Sequence, residues 1–321
     1  MPDHVTANLL SPIILAFVLG MVARLIKSDL EFPAALTSTL SIFLLFAIGL
    51  KGGQALSHDP LGALWLPILA SLALGIAIPL WTYPLARRLG GLSSPDAASF
   101  AAHYGSTSAV TFLAALTFLD QAKVAYEGAV PGLLAIMEVP AIVVGLLLAK
   151  RGDGRRPALG QALHHVLAGK SILLLIGGMV IGWCADQQGM AAISAFFVDP
   201  FRGVLCLFLL ELGMVAADRL RDLGGHWRFV LGFGIAAPLV HGALGVTAGH
   251  LAGLSPGGAT VLGVLAASAS YIAAPAAVRI ALPEANPGLP LAASLGVTFP
   301  LNLTIGIPLY HELAMRLAAA T

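Results

Sequence analysis

Charge is the scarcest property of this sequence. Asp, Glu, Lys and Arg make up 10% of its 321 residues, against 58% hydrophobic residues. A soluble domain carries about 25% charged residues. The chain therefore cannot clothe a water-facing surface, and it is expected to be an integral protein of a lipid bilayer. What charge exists nearly cancels, at +1. No basic run carries interleaved aromatics, so no nucleic-acid partner is expected. Cysteine is almost absent. Cys184 and Cys206 lack metal-ligand spacing and read as small apolar fillers. Ten-residue segments of alternating hydrophobicity are missing, which excludes an outer-membrane barrel and leaves a helical bundle. Basic residues are missing ahead of the first apolar run, 9–26, while Arg24 and Lys27 close it. A cleaved signal peptide has the reverse arrangement, so this run is expected to span.

What is present is a succession of apolar runs of helical length. Ten spans fit: 9–26, 33–50, 61–86, 95–119 and 129–149, then 170–185, 199–217, 227–252, 256–280 and 289–315. The charged stretch 150–169 reads as a cytoplasmic linker between a first half, 1–149, and a second, 170–321. The halves resemble each other. Gly20-Met21-Val22 matches Gly178-Met179-Val180, and Phe43 to Leu50 matches Leu207 to Met214. Leu92-Ser93-Ser94-Pro95 matches Gly253-Leu254-Ser255-Pro256, and Pro140 matches Pro300. Five spans is an odd number, so two such halves in series sit in opposite orientations, as an inverted repeat. Loop charge agrees with this alternation. With both termini outside, Arg24, Lys27, Arg87, Arg88, Lys150, Arg151, Arg155, Arg156, Lys170, Arg219, Arg221, Arg228 and Arg279 fall inside. Only Lys51, Lys123, Arg202 and Arg316 fall outside.

One motif recurs inside the apolar sequence. It is Gly105-Ser106-Thr107-Ser108-Ala109 in the first half and Ala267-Ser268-Ala269-Ser270-Tyr271 in the second. Small hydroxyl residues gathered at one depth, twice, mark broken helices that meet at a bilayer midplane. The same residues would also suit close helix packing. Ser94-Pro95 and Ser255-Pro256 are cap and first-turn pairs that start the fourth and ninth spans. A break about ten residues later frees backbone groups, which hydroxyls or a ligand must satisfy. Inversion would bring two positive helix N-termini face to face, an anion site. No Lys or Arg lies near either motif. The anion would be held by dipoles, hydroxyls and a co-bound cation, and hydroxyl and carbonyl oxygens suit sodium.

Other polar residues in the spans divide between function and packing. Glu138, beside Pro140, is costly at depth and a functional candidate, or a group bonded to carbonyls that Pro140 frees. Its counterpart in the second half is Thr298. Asn302 would bind a cation or join helices. Glu211 is an interior group of the seventh span. His103 precedes the first motif and would line a pathway, sense pH or simply be a satisfied interior group. Tyr104 and Tyr271 flank the motifs and would wall the site. Lys51 is expected to snorkel to the outer surface, and His164-His165 to lie solvated in the linker.

Together these residues resemble the sodium-dependent bicarbonate transporters of cyanobacterial carbon-concentrating systems and their bacterial relatives. The resemblance covers essentially the whole chain. Its pieces are Ala47 to Gly53, Gly105 to Phe112, Ala135 to Glu138, Ala266 to Ala276, Leu282 to Pro287 and Phe299 to Thr304. It implies a core and a gate domain per protomer, a homotrimer in the bacterial inner membrane, and elevator-like movement of the core. It also implies sodium and bicarbonate as partners, held where the broken helices cross. By motif position, Gly105, Ser106, Thr107, Ser108, Ala267, Ser268, Ala269 and Ser270 would surround bicarbonate. Ser106, Ser108, Ser268 and Ser270, with Glu138, Thr298 and Asn302, would serve sodium. A PII-like regulatory protein docks on the cytoplasmic face of the cyanobacterial members, but the linker here is short and plain. No cofactor beyond the coupling ion is expected. The reading is a sodium-coupled bicarbonate symporter. The alternatives are a transporter of another small anion or a sodium/proton exchanger, which needs an embedded carboxylate at the crossing. An intramembrane hydrolase is more remote: there is no His-Glu-x-x-His segment, and Ser106 to Ser108 lack the glycines of a nucleophile elbow.

Overall fold

The computed structural model describes residues 6, 8–57, 62, 64–153, 159–221 and 224–320. Arg155 and Arg156 of the linker lie outside these residues, as do the side chains of Lys150, Arg151 and Arg221. Every regular element among the described residues is helical. In chain order they are α1 (Pro12–Leu25), α2 (Ala34–Leu56), α3 (Trp65–Arg88), α4 (Ser94–Gly105), α5 (Ala109–Ala122) and α6 (Val130–Asp153). Then follow α7 (Leu159–Leu167), α8 (Lys170–Cys184), α9 (Gln187–Phe197), α10 (Phe201–Arg221) and α11 (Trp227–Leu251). The last are α12 (Pro256–Ala267), α13 (Ala273–Ala281) and α14, which runs Gly288–Ala320.

Five helices are long and apolar enough to cross a bilayer: α2, α3, α6, α11 and α14. The α7–α8 pair, bent by 43°, and the α9–α10 pair, bent by 41°, raise the number to as many as 7. The remaining expected spans are short or interrupted. At 1.5 Å per residue, the 14 residues of α1 cover only about 21 Å of a hydrocarbon core roughly 30 Å thick. The stretches 95–119 and 256–280 are each split into two helices. Two elements lie where sequence periodicity placed connections. The linker contains α7, which buries Ala162 and Val166 and leaves His164 and His165 exposed. The stretch after α8 contains α9, started by an Asp186 cap on the Gly189 N–H.

Helix seams are set by glycine. α1 packs on α10, and α2 packs on α8. A Cβ on Gly20 would strike the Leu210 carbonyl oxygen, and one on Gly213 that of Phe17. On the other seam, Gly178 faces the Phe46 carbonyl and Gly49 that of Leu175, at 3.0 and 2.6 Å. These are the positions that match between the two halves of the sequence. The third helices behave alike: Gly75 of α3 abuts Met137 of α6, and Gly234 of α11 abuts Val297 of α14.

α4 packs between α3 and α6, and α12 between α11 and α14. α4 also touches α13, while α12 touches α5. Each first half-helix thus meets the second half-helix of the other pair. α14 carries two π-helical stretches, Ala292–Thr298 and Asn302–Gly306. Pro300 between them has no N–H for the ladder, and such widened turns gather at functional positions.

Candidate functional site

Serine caps start both broken helices. Ser255 Oγ accepts the Gly258 N–H at 3.1 Å, with Pro256 at the first helical position. In the first half the cap is Ser93, one residue earlier than expected, accepting the Asp96 N–H at 3.2 Å. Ser94 is already helical, and its hydroxyl bonds the Tyr83 hydroxyl at 3.0 Å. Two acidic residues that the motif search passed over hold these starts. Glu127, from the loop before α6, accepts the Ser255 N–H at 2.6 Å and the Ser255 hydroxyl at 3.2 Å. Asp96 accepts the Asn286 N–H at 2.7 Å. Their signal was a lone carboxylate in a turn beside an apolar run, too common to single out.

The first break is Ser106 to Ser108. Gly105 ends α4 where a Cβ would strike the Pro79 ring. Ser106 and Ser108 are extended, and Ser108 Oγ then caps α5 by accepting the Thr111 N–H at 3.1 Å. The second break begins at Ser268, also extended after Ala267 ends α12. Ser270 Oγ accepts the Ala274 N–H at 3.1 Å and so holds the start of α13. Ala269 is buried beside Phe100 and Tyr104.

The breaks are bonded to each other. The Ser108 N–H donates to Ser268 Oγ at 2.8 Å. In return, the Ser270 N–H donates to the His103 carbonyl at 2.8 Å. Ser268 Oγ in turn donates to the Leu265 carbonyl at 2.8 Å. α14 ties in both sides. Thr298 Oγ1 bonds the Tyr104 hydroxyl at 2.8 Å and donates to the Gly234 carbonyl at 2.8 Å. Asn302 Nδ2 donates to the carbonyl of Ala267 at 2.9 Å, an acceptor freed by the break. The Tyr310 hydroxyl lies 2.9 Å from the Pro238 carbonyl oxygen and 3.0 Å from Asn302 Oδ1, and its one proton serves either.

Several polar atoms at the breaks have no protein partner among the described residues, although all are buried. They are Ser106 Oγ, Thr107 Oγ1 and His103 Nε2. Buried hydroxyls are ordinarily hydrogen-bonded, and exceptions call for an explanation such as a ligand. Glu138 is 3% exposed on α6, and its Oε2 is also unpartnered. Its chain neighbour Met137 abuts Gly75, while Ala141, one turn on, abuts Gly105. That sets Glu138 at the depth of the first break without a bond to it.

A cavity of about 620 Å³ opens beside the second break. Tyr271 and Glu211 line it, and Lys170, Arg219 and Arg279 give it a basic wall. Glu211 also borders a smaller cavity of about 250 Å³ that holds Glu31 and Asp218. Lys51 does not simply reach outward. It faces Asp120 at 3.5 Å and lies over the Phe201 ring. In the loop after α5, burial and the neighbouring Asp120 push the Tyr126 phenol up from its ordinary range.

Two interrupted helices thus meet with their breaks hydrogen-bonded, and they leave hydroxyls with nothing to bind. No curated protein matches the chain. A family model described as the Na+-dependent bicarbonate transporter superfamily matches residues 12–315.

Proposed function

From the premise that this chain belongs to the Na+-dependent bicarbonate transporter superfamily, we propose that it is a sodium-coupled bicarbonate symporter. It carries bicarbonate into the cytoplasm across the bacterial inner membrane. The observation that carries this reading is the set of buried, unpartnered hydroxyls of Ser106 and Thr107 at a break bonded to its counterpart. A small anion with three oxygens suits such a cage of hydroxyls and amide N–H groups. A larger or doubly charged anion would want a fixed cation such as arginine, and the basic side chains nearest the breaks, Lys170, Arg219 and Arg279, line the cavity beside Tyr271 and not the Ser106–Ser108 break. Gly105, Ser106, Thr107, Ser108, Ala267, Ser268, Ala269 and Ser270 surround the anion. Hydroxyl and carbonyl oxygens of the same breaks receive sodium, with Ser106 and Thr107 the freest. Asn302 contributes by holding the Ala267 carbonyl in place.

The architecture that goes with this is ten spans in two inverted five-helix repeats with both termini outside. Four contacts on two seams support it: Gly20 with Leu210 and Gly178 with Phe46 are the same contact in the two halves, as are Gly213 with Phe17 and Gly49 with Leu175. The frame of α1, α2, α8 and α10 is the gate, and the bundle around α4–α5 and α12–α13 is the moving core of an elevator. A homotrimer, and a PII-like partner on the cytoplasmic face, complete the family expectation.

The test is uptake of labelled bicarbonate into proteoliposomes at about pH 8, under a sodium gradient or an equal potassium gradient. Sodium-dependent uptake that is lost in a Ser106→Ala, Ser268→Ala variant supports the reading. Absence of sodium-dependent uptake by folded protein overturns the substrate. One observation favours a second reading. The buried Glu138 carboxyl, whose Oε2 has no partner, is the kind of group a sodium/proton exchanger needs. Transport that survives in Glu138→Gln removes that alternative.

A further inference from the structure

His103 is not accounted for by the cage of donors. It sits in the last turn of α4, is 1% exposed, and its Nδ1 lies 2.7 Å from the Ser99 carbonyl oxygen. A carbonyl oxygen only accepts, so the proton of a neutral ring is on Nδ1. Nε2 then holds a lone pair, and that atom is buried with no partner. Glu138 on the neighbouring α6 does not bond it, since the Glu138 Oε2 is unpartnered as well. The His103 carbonyl receives the Ser270 N–H, which fixes this turn of α4 against the second break. Ser99, His103 and Ser106 follow one another at i, i+4 and i+7, and each has one buried polar atom without a partner. Such spacing puts them on one face of the helix. Along that face stand two hydroxyls and, between them, a pure acceptor.

An acceptor is out of place in a site built only for negative oxygens. It is in place for an anion that also carries an O–H. Bicarbonate has two oxygens that share the charge and a third that bears a proton. Carbonate, nitrate, nitrite and formate have no O–H to give. We propose that His103 is a specificity-determining residue of this transporter, whose Nε2 accepts the O–H of bicarbonate while the hydroxyls of the first break donate to its other oxygens. The proposal rests on the symporter reading above. A site arranged to bond a substrate hydroxyl rejects analogues that lack it, because the partner is left unpaired in their complex.

The experiment compares wild type, His103→Leu and His103→Gln in proteoliposomes. It measures KM for bicarbonate and the inhibition constants of nitrate and formate. Glutamine offers a carbonyl acceptor where leucine offers none. In His103→Leu, KM for bicarbonate is expected to rise at least about tenfold, with inhibition by nitrate and formate unchanged or stronger. His103→Gln is expected to recover part of the preference. An unchanged ratio of bicarbonate KM to nitrate inhibition constant in folded His103→Leu overturns the assignment alone. Wild type with no sodium-driven bicarbonate uptake overturns both the assignment and the symporter reading. If His103→Leu does not fold, His103→Gln and His103→Asn decide: a ratio that rises above wild type in either, most in asparagine with its shorter reach, supports the role. Equal ratios in His103→Gln, His103→Asn and wild type overturn it.

Discussion

The two breaks carry nearly the same sequence and spend their hydroxyls differently. At the second, Ser268 Oγ accepts from the Ser108 N–H and donates to the Leu265 carbonyl, and Ser270 Oγ receives the Ala274 N–H. Both serine side chains hold backbone. At the first, Ser108 alone does this work, while Ser106 and Thr107 hold nothing. A repeated motif therefore does not imply a repeated task. One copy spends its side chains on backbone, and the other keeps two hydroxyls unspent.

Substitutions can widen or erase that contrast. The largest effect is expected from Ser106→Ala with Thr107→Val. Each hydroxyl bonded to a charged ligand is worth about 1.5–3 kcal/mol, so the pair should lower kcat/KM for bicarbonate by about a hundredfold or more. The thermal unfolding midpoint should not move, because neither hydroxyl bonds protein. Asn302→Leu comes next. It strips the Ala267 carbonyl of its donor, at a cost of about 1–3 kcal/mol in folding, and should lower both the unfolding midpoint and transport. Ser268→Ala orphans the Ser108 N–H and should cost a similar or slightly smaller amount, with transport falling less than in the first variant. A destabilised Ser106→Ala, Thr107→Val protein beside an undisturbed Ser268→Ala would erase the contrast altogether.

Much of the fold was legible in sequence because apolar runs, proline starts and paired motifs are local signals. The breaks fall where the small hydroxyl residues cluster, and Ser255 caps its helix as its Ser-Pro pair suggested. What was not legible depends on packing or on single residues. The first cap is Ser93 and not Ser94, because Ser94 points to Tyr83 in α3, and no local pattern chooses between adjacent serines. α9 was hidden because its 11 residues carry too little apolar run to read as a span. The assignment of Asn302 to a freed carbonyl needed the π-widened register of α14, which periodicity does not reveal. The smallest predicted effect follows from the caps. Ser93→Ala should cost about 1 kcal/mol of stability, and Ser94→Ala less, as read by thermal unfolding. The reverse order would return the cap to Ser94 and restore the symmetry of the two helix starts.

The glycine seams have a consequence for how the protein is made. Gly20 needs the backbone at Leu210, and Gly49 needs that at Leu175. Neither seat exists until the ribosome has reached the second half. The first helices to enter the bilayer must therefore wait there with bare backbone faces exposed to lipid. They close only when their late-arriving partners are threaded alongside. The frame therefore cannot close until residue 210 has been made, although its first members are among the earliest to be synthesised. A bulkier residue at Gly20 or Gly213 would leave insertion untouched and would fail when α1 and α10 join.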